Sequence, residues 1–345
     1  MNNRDPTATL MFREAAEASA ALGRQLERNR DAVQRLGAAL RELAPRAVVT
    51  VARGSSDHAA TYAKYLVETR VGVLTASAAP SVTSVYGARQ DLRDCVFLAI
   101  SQSGRSPDLV AAAQSARDAG ALVVALVNDE ESPLAALAQH CLPLCAGPEQ
   151  SVAATKSYIA ALGGIAHIVA AWTEDARLTQ ALAALPRQLE RAWALDWEAA
   201  VPRLKEQVHL FVIARGVGLA VAQEAALKCK ETCGLHAESF SSAEVRHGPQ
   251  ALLSRAFPAL VFGQDDETLQ GTEALARDLV ARGVDVIAAG ADVPGATILP
   301  TLTSHAALQP LLVAQSFYRF ANALAVARGY DPDRPPHLRK ITQTT

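Results

Sequence analysis

The sequence carries little net charge and no long apolar run. Its 33 lysines and arginines nearly balance 35 aspartates and glutamates, which gives a formal net charge of -2. No broad basic field is present to attract nucleic acid or an anionic membrane. No apolar stretch reaches the about 20 residues of a membrane-spanning helix, and the first ten residues lack the charged-then-apolar order of a signal peptide. We therefore expect a cytoplasmic protein that binds neither nucleic acid nor membrane.

Cysteine is scarce and odd in number, which argues against a disulfide framework in a chain of 345 residues. The cysteines are Cys95, Cys141, Cys145, Cys229 and Cys233. The last four form two pairs with a spacing of four, which could suggest zinc, but both pairs lie in apolar stretches without Cys-x-x-Cys spacing. We interpret all of them as reduced, buried, small hydrophobes, and we expect no metal and no other cofactor.

Apolar, β-branched runs alternate with helical stretches along the chain. One such run, at residues 47–51, follows helices that end before Pro45 and leads through small residues into another helix. Continuous apolar strands between helices are typical of a parallel sheet covered on both faces. Residues 46–69 contain a predicted strand, then Ala-Arg-Gly, then a predicted helix, and residues 208–232 repeat this order. This recurrence indicates an internal duplication within an α/β fold.

The alternation also predicts a domain organisation, since the length fits two domains of about 150 residues each. No long Pro/Gly-rich linker separates the halves. The predicted divisions are N-terminal helices over 1–44, a first α/β domain over 45–175, linking helices over 176–200, a second α/β domain over 201–328 and a C-terminal tail over 329–345.

Hydroxyl side chains cluster after two strands of the first half, at residues 53–56 and 101–106. Parallel sheets bind ligands at the carboxyl ends of their strands. Hydroxyls, backbone N–H groups and a helix N-terminus form a neutral cradle for an anion, and Pro107 fits a first helical position. A single serine at a helix start is usually only a cap, but two clusters favour a phosphate site. Asp265 and Asp266 stand at the corresponding place in the second half, where they would repel phosphate.

Ionisable residues concentrate in the second half. Glu224, Lys228 and Glu231 have helical spacing and should share one face. A stretch that we predict to be irregular then holds His236, Glu238, Glu244 and His247. A carboxylate, an imidazole and an ammonium suit ring opening and proton transfer between C1 and C2 of a sugar. An exposed, salt-bridged helix face is the competing interpretation. His236 and Glu238 lack further ligands at useful spacing, so no metal site is predicted.

Four segments together resemble the double-SIS (sugar isomerase) family: SQSGRSPD, SVAATKSYIAAL, EAALKCKETCGLHAESFSSAEVRHGP and PPHLRKITQTT. They are similar to the isomerase half of glutamine–fructose-6-phosphate aminotransferase, and more closely to stand-alone SIS-type glucosamine-6-phosphate deaminases. The resemblance covers nearly the whole chain in the same order. It implies two tandem SIS domains in a homodimer, each a five-stranded parallel sheet flanked by helices in a flavodoxin-like three-layer sandwich.

The resemblance also implies roles for individual residues. The residues that would hold the sugar phosphate are Ser56, Ser101, Gln102, Ser103 and Ser106. Backbone groups of Val152 and Ala153 would line the sugar. Glu231 would move the proton between C1 and C2, supported by Lys228 and Glu224. His247 would open the ring from the partner subunit, and Lys340 would lie on a tail that closes over the sugar.

Three departures from the aminotransferase affect the expected function. We identify no glutamine-hydrolysing domain, Pro336 replaces an arginine of the tail, and Arg105 replaces an acid. Without a glutaminase, we expect ammonia release: glucosamine 6-phosphate and water would give fructose 6-phosphate and ammonia. Galactosamine 6-phosphate or a fructosamine 6-phosphate remain open as substrates, as does a non-catalytic sugar-phosphate sensor. The short, weakly basic N-terminal stretch and the retained Glu231, His247 and Lys340 argue against the sensor.

Overall fold

The structure is a computed structural model that describes residues 5–340. Two compact units divide these residues. The first unit comprises residues 20–148, 156–184 and 339–340, and the second unit comprises residues 5–19, 149–155 and 185–338. Each unit therefore draws on segments that are distant in the chain. The contiguous domain boundaries inferred from the sequence stay a prediction.

The first unit is built on a five-stranded parallel sheet with the order β2-β1-β3-β4-β5. Its strands are β1 (Ala47–Val51), β2 (Thr75–Ser77), β3 (Cys95–Ser101), β4 (Leu122–Val127) and β5 (His140–Pro143). Every residue of β3 is buried. Such burial requires apolar side chains on both faces of the strand, which explains the continuous apolar runs of the sequence.

The second unit is built on another five-stranded parallel sheet, with the order β10-β9-β8-β6-β7. Its strands are β6 (His209–Ala214), β7 (His236–Ser241), β8 (Ala259–Phe262), β9 (Val286–Ala289) and β10 (Thr297–Leu299). Counted along the chain, each sheet has its strands in the order second, first, third, fourth, fifth. The predicted duplication and the α/β fold class, with two parallel sheets flanked by helices, are confirmed.

Helices precede, connect and follow the strands. In the first half of the chain they are α1 (Leu10–Ala16), α2 (Ala18–Arg28), α3 (Arg30–Leu43), α4 (Ser55–Leu66), α5 (Pro80–Ser84), α6 (Pro107–Asp118), α7 (Pro133–Leu137) and α8 (Lys156–Thr173). In the second half they are α9 (Ala176–Trp193), α10 (Val201–Leu204), α11 (Leu219–Cys233), α12 (Leu269–Ala281) and α13 (Gln309–Ala327). Within residues 5–340, no helix combines the length and the apolar character needed to cross a bilayer.

Two local expectations are wrong. The stretch from His236 was predicted to be irregular, but residues 236–241 form the edge strand β7, which pairs with β6. Cys141 and Cys145 were predicted to be buried, but they are half-buried. Cys141 lies on the edge strand β5 and Cys145 just after it, and an edge strand is covered by a neighbouring strand on one side only.

Candidate active site

Two helix N-termini lie at the carboxyl ends of adjacent strands of the first unit. α4 follows β1, α6 follows β3, and β1 pairs directly with β3. The residues before these helices, Gly54 and Ser106, make no side-chain capping hydrogen bond. The N–H groups of Ser56 and Asp57 in α4, and of Leu109 in α6, already have acceptors within the chain. The positive end of each helix dipole still favours an anion at these helix starts.

The loop between β3 and α6 is shaped by its own serines. Ser101 Oγ accepts a hydrogen bond from the Gly104 N–H at 3.1 Å, and Ser103 Oγ accepts one from the Arg105 N–H at 3.3 Å. Each hydroxyl keeps its proton for donation to a ligand. Ser101 is buried. The other hydroxyl and amide residues predicted to hold phosphate are half-buried, namely Ser56, Gln102, Ser103 and Ser106.

Both arginines beside these loops are paired with carboxylates. Arg53 donates to Asp108 Oδ2 from Nε at 3.0 Å and from Nη2 at 2.7 Å. Arg105 binds Asp129 Oδ2 in the same way, at 3.0 and 2.7 Å, and its hydrogen bonds lower the pKa of Asp129. Arg105, which departs from the aminotransferase motif, is thus engaged by the loop after β4. With both arginines paired, the hydroxyls of these loops stay the groups predicted to bind an anion.

Gly104 is required by the path of this loop. Its φ is +62°, and a Cβ there would lie 2.2 Å from Ser132 Oγ. We expect Gly104→Ala to destabilise the fold by about 1–3 kcal/mol and to weaken the binding of inorganic phosphate, measured by thermal unfolding and calorimetry. The matched control is Gly23→Ala within α2, where no atom lies within 4 Å of an added Cβ. Unchanged phosphate binding by Gly104→Ala would rule out this loop as the anion site.

The second unit holds an ion cluster on α11. Lys228 Nζ lies 3.5 Å from Glu224 Oε1 and forms a direct hydrogen bond with Glu231. The side chains of Lys228 and Glu224 are 1% exposed, and that of Glu231 is 21% exposed. The predicted common face is confirmed, and its interpretation as an exposed salt-bridged surface is wrong. Within the cluster, the Glu231 carboxylate remains partly accessible to solvent.

Residues from other elements complete this cluster. The Tyr318 hydroxyl on α13 donates to Glu224 Oε1 at 3.0 Å. Burial alone would lower the pKa of Lys228, but the carboxylates of Glu224 and Glu231, with a smaller effect of Glu149, raise it above its ordinary value. The ammonium therefore stays charged at neutral pH. Sequence reasoning missed Tyr318 and Glu149. A tyrosine on an apolar helix face was a signal, because its buried hydroxyl requires a partner.

The end of α11 fixes the position of Glu231. Gly234 caps the helix in the left-handed conformation with φ 57°, and its N–H donates to the Cys229 carbonyl. A Cβ at Gly234 would lie 2.2 Å from the Tyr330 ring. Glu231 therefore sits in the last turn, immediately before the chain enters β7.

The other ionisable residues singled out in the sequence lie on other segments of the chain. His247 is exposed at the end of the 3-10 turn Glu244–His247, and its ring makes no hydrogen bond or ion pair with any of residues 5–340. The His236 Nδ1 lies 3.2 Å from the Nδ1 of His209. Lys340 is half-buried at the end of the described chain. Among the described residues, no group of three or more His, Cys, Asp or Glu could hold a metal ion.

Val152 and Ala153 lie in a loop of the second unit without regular secondary structure. Ala153 is buried, and Val152 is half-buried. The Val152 N–H donates to the Asp333 carbonyl at 3.4 Å. The backbone of this loop is therefore held by contacts within the second unit.

Comparisons with known proteins agree with this architecture. The family model of the SIS domain matches residues 44–166 and 203–289. Glutamine–fructose-6-phosphate aminotransferase [isomerizing] of Pyrobaculum aerophilum is 34% identical over 319 residues, which cover 86% of this chain and 51% of that protein. The chain thus spans about half the length of the relatives it matches.

Solved structures extend the comparison. A protein of Silicibacter pomeroyi assigned as a candidate phosphosugar isomerase is 44% identical, with a TM-score of 0.91 over 94% of this chain and 100% of that chain. The C-terminal domain of glucosamine-fructose-6-phosphate aminotransferase from Francisella tularensis is 23% identical, with a TM-score of 0.87 over 95% of this chain and 98% of that chain. At 23% identity, the second comparison shows similarity of fold only.

Proposed function

Because the chain belongs to the SIS domain family, we propose that it is an enzyme that moves a proton between C1 and C2 of a phosphorylated amino sugar. The observation that carries the proposal is the buried cluster of Glu224, Lys228 and Glu231, which leaves one carboxylate accessible beside an ammonium. A carboxylate held in this way suits general base catalysis. The names of the relatives, an isomerizing aminotransferase and a candidate phosphosugar isomerase, support the same chemistry.

The proposed reaction converts glucosamine 6-phosphate and water into fructose 6-phosphate and ammonia. His247 protonates the ring oxygen as the C1 hydroxyl loses its proton, so the C1–O bond of the ring breaks and the C1 aldehyde forms. Glu231 then takes the proton from C2 while the C1 oxygen gains a proton, which gives an enolamine. Return of the proton to C1, with loss of one proton from nitrogen, gives an imine at C2. Water adds to C2, the C2–N bond breaks, and the nitrogen leaves as ammonia with the protons released by water. Lys228 orients Glu231 through its direct hydrogen bond.

Binding is assigned to other groups of the chain. The first unit supplies the anion site for the phosphate, with Ser56, Ser101, Gln102, Ser103 and Ser106. Backbone groups of Val152 and Ala153 line the sugar, and the segment that carries Lys340 closes over it. His247 is exposed and without a partner among the described residues. This supports its assignment to the site of the partner subunit in a homodimer.

An assay that couples ammonia release to glutamate dehydrogenase tests the proposal. Purified protein is offered glucosamine 6-phosphate, galactosamine 6-phosphate, a fructosamine 6-phosphate and, for the reverse direction, fructose 6-phosphate with ammonium. We expect turnover to be fastest with glucosamine 6-phosphate and to yield equal amounts of ammonia and fructose 6-phosphate. Thermal stabilisation by these sugars without any turnover would favour a sensor. Absence of ammonia from all of them would overturn the proposal.

A further inference from the structure

A loop of the second unit is held by a buried carboxylate from a distant part of the chain. Residues 149–155, here called the 149–155 loop, form neither helix nor strand. Glu14 on α1 accepts hydrogen bonds from the Gln150 N–H at 2.5 Å and from the Ser151 N–H at 3.0 Å. Glu14 is 6% exposed. A charged acceptor for two successive N–H groups is a strong restraint on an otherwise irregular backbone.

A second buried carboxylate connects the C-terminal segment to the same helix. Asp333 accepts hydrogen bonds from the Leu10 N–H at 2.9 Å and from the Met11 N–H at 2.8 Å, both at the start of α1. The Asp333 carbonyl also accepts from the Val152 N–H of the 149–155 loop. Asp333 is 7% exposed. One residue of the C-terminal segment therefore contacts both α1 and the loop.

α1, which carries Glu14 and whose first turn binds Asp333, is itself held by hydrogen bonds to α13. Thr9 Oγ1 donates to Asn322 Oδ1 at 2.6 Å, and Gln315 Nε2 donates to the Ala15 carbonyl at 3.0 Å. Both partners lie on α13, the helix whose Tyr318 binds Glu224. Hydrogen bonds thus run from the ion cluster through α13 and α1 to the 149–155 loop. A shift of α1 would be transmitted to the loop, because interiors are close-packed.

We propose that Glu14 and Asp333 are positioning residues that fix the 149–155 loop and the base of the C-terminal segment around α1. The inference rests on the proposed function, in which Val152 and Ala153 line the sugar. Each carboxylate offers two acceptor oxygens to two neighbouring N–H groups, whereas an amide offers one. Replacement of either carboxylate by its amide leaves an N–H group without its acceptor and frees the loop or the segment to move.

The first test does not depend on the reaction. Amide hydrogen exchange of the full chain is followed by mass spectrometry for the wild type, Glu14→Gln and Asp333→Asn. We expect faster exchange at Gln150 and Ser151 in Glu14→Gln, and at Leu10 and Met11 in Asp333→Asn. Glu206→Gln is the control, because its side chain is 86% exposed. Unchanged exchange at these positions would overturn the proposal, whatever the enzyme's substrate.

The second test measures kcat and KM for glucosamine 6-phosphate. Since small misplacements in an active site cost large factors in rate, we expect Glu14→Gln to lower kcat/KM by about 10- to 100-fold. Affinity for inorganic phosphate should stay unchanged, because the predicted phosphate residues belong to the first unit. Glu14→Asp, which keeps the charge, should recover part of the loss. The double variant Glu14→Gln/Asp333→Asn should lose less than the product of the single losses, because both residues act on one loop.

The outcomes separate the two proposals. Faster exchange in Glu14→Gln with unchanged kcat/KM would overturn the positioning role and leave the proposed function standing. A wild-type protein without turnover on any hexosamine phosphate would overturn the proposed function and the positioning role with it. The exchange experiment would then still decide whether Glu14 restrains the 149–155 loop.

Discussion

Replacing Glu231 with glutamine should lower kcat by at least about a hundredfold, because the amide cannot accept the proton that is removed from C2. The glutamine side chain has nearly the size of the native glutamate, so binding of the sugar phosphate should persist with a similar KM. The measurement is steady-state ammonia release from glucosamine 6-phosphate, with calorimetric binding of the same sugar. A variant that retains more than a tenth of the wild-type kcat would exclude Glu231 as the base.

Two comparisons make this result specific. Glu238→Gln changes the same residue type at an exposed position of β7 and should leave kcat unchanged. Mixing Glu231→Gln with His247→Ala tests the shared site: each variant alone should be nearly inactive. Random association of the two would give about a quarter of the wild-type activity, since half of the dimers would contain one intact site of two. Absence of recovery after confirmed subunit exchange would place His247 and Glu231 of one chain in one site.

Replacing Lys228 with methionine should destabilise the fold by about 3–5 kcal/mol, because it leaves the buried Glu224 carboxylate without its ammonium partner. Activity should be lost as well, since Lys228 orients Glu231. The free energy of unfolding is measured with urea at pH 7 and at pH 5. The deficit should shrink at pH 5, because uncompensated buried carboxylates have raised pKa values and become neutral by protonation.

Matched variants distinguish this effect from a general response to losing a lysine. Lys205→Met removes a surface lysine that lies 4.0 Å from the 86% exposed Glu206, and it should change stability by less than about 0.5 kcal/mol. Adding Glu224→Gln to Lys228→Met should recover part of the stability. A Lys228→Met protein as stable as the wild type at pH 7 would contradict the role of the ion cluster.

The pH dependence of the wild type follows from the same cluster. The pKa of Lys228 is raised in the folded protein, by carboxylates that outweigh the opposing effect of burial. A group whose pKa is raised by folding stabilises the folded state fully below its unfolded pKa of about 10.4. This contribution is lost only as the pH rises through the higher pKa of the folded state. Lys228 therefore contributes unchanged stability across the neutral range.

The parallel sheets could be predicted because most of their strands show as local patterns in the sequence. The runs around β3 and β4 are continuously apolar, and the recurrence of Ala-Arg-Gly after β1 and β6 marks the duplication. α8 is harder to recognise as a helix from the sequence, because nearly all of its residues are buried and it has no polar face. The edge strand β7 is partly exposed and carries polar residues. Only its correspondence to β2 in the repeat could have indicated it.

The candidate site, too, could be predicted from the sequence only in part. Helical spacing placed Glu224, Lys228 and Glu231 on one face, and the small residues at the strand ends indicated an anion site. Burial of that face was decided by the packing of α13 against α11, which brings Tyr318 to Glu224 across 94 residues of sequence. Glu14 and Asp333 gave no signal, since their hydrogen-bond partners lie more than 130 residues away.

The sequence by itself determined what depends on neighbours along the chain: which segments are strands, which helix faces gather charge, and where hydroxyls follow a strand. Only the tertiary structure decided which charges lose contact with water and which backbone N–H groups receive a carboxylate. The physical reason is that periodicity within one element fixes the direction of a side chain relative to that element alone. Desolvation and hydrogen bonding depend on the elements that pack against it.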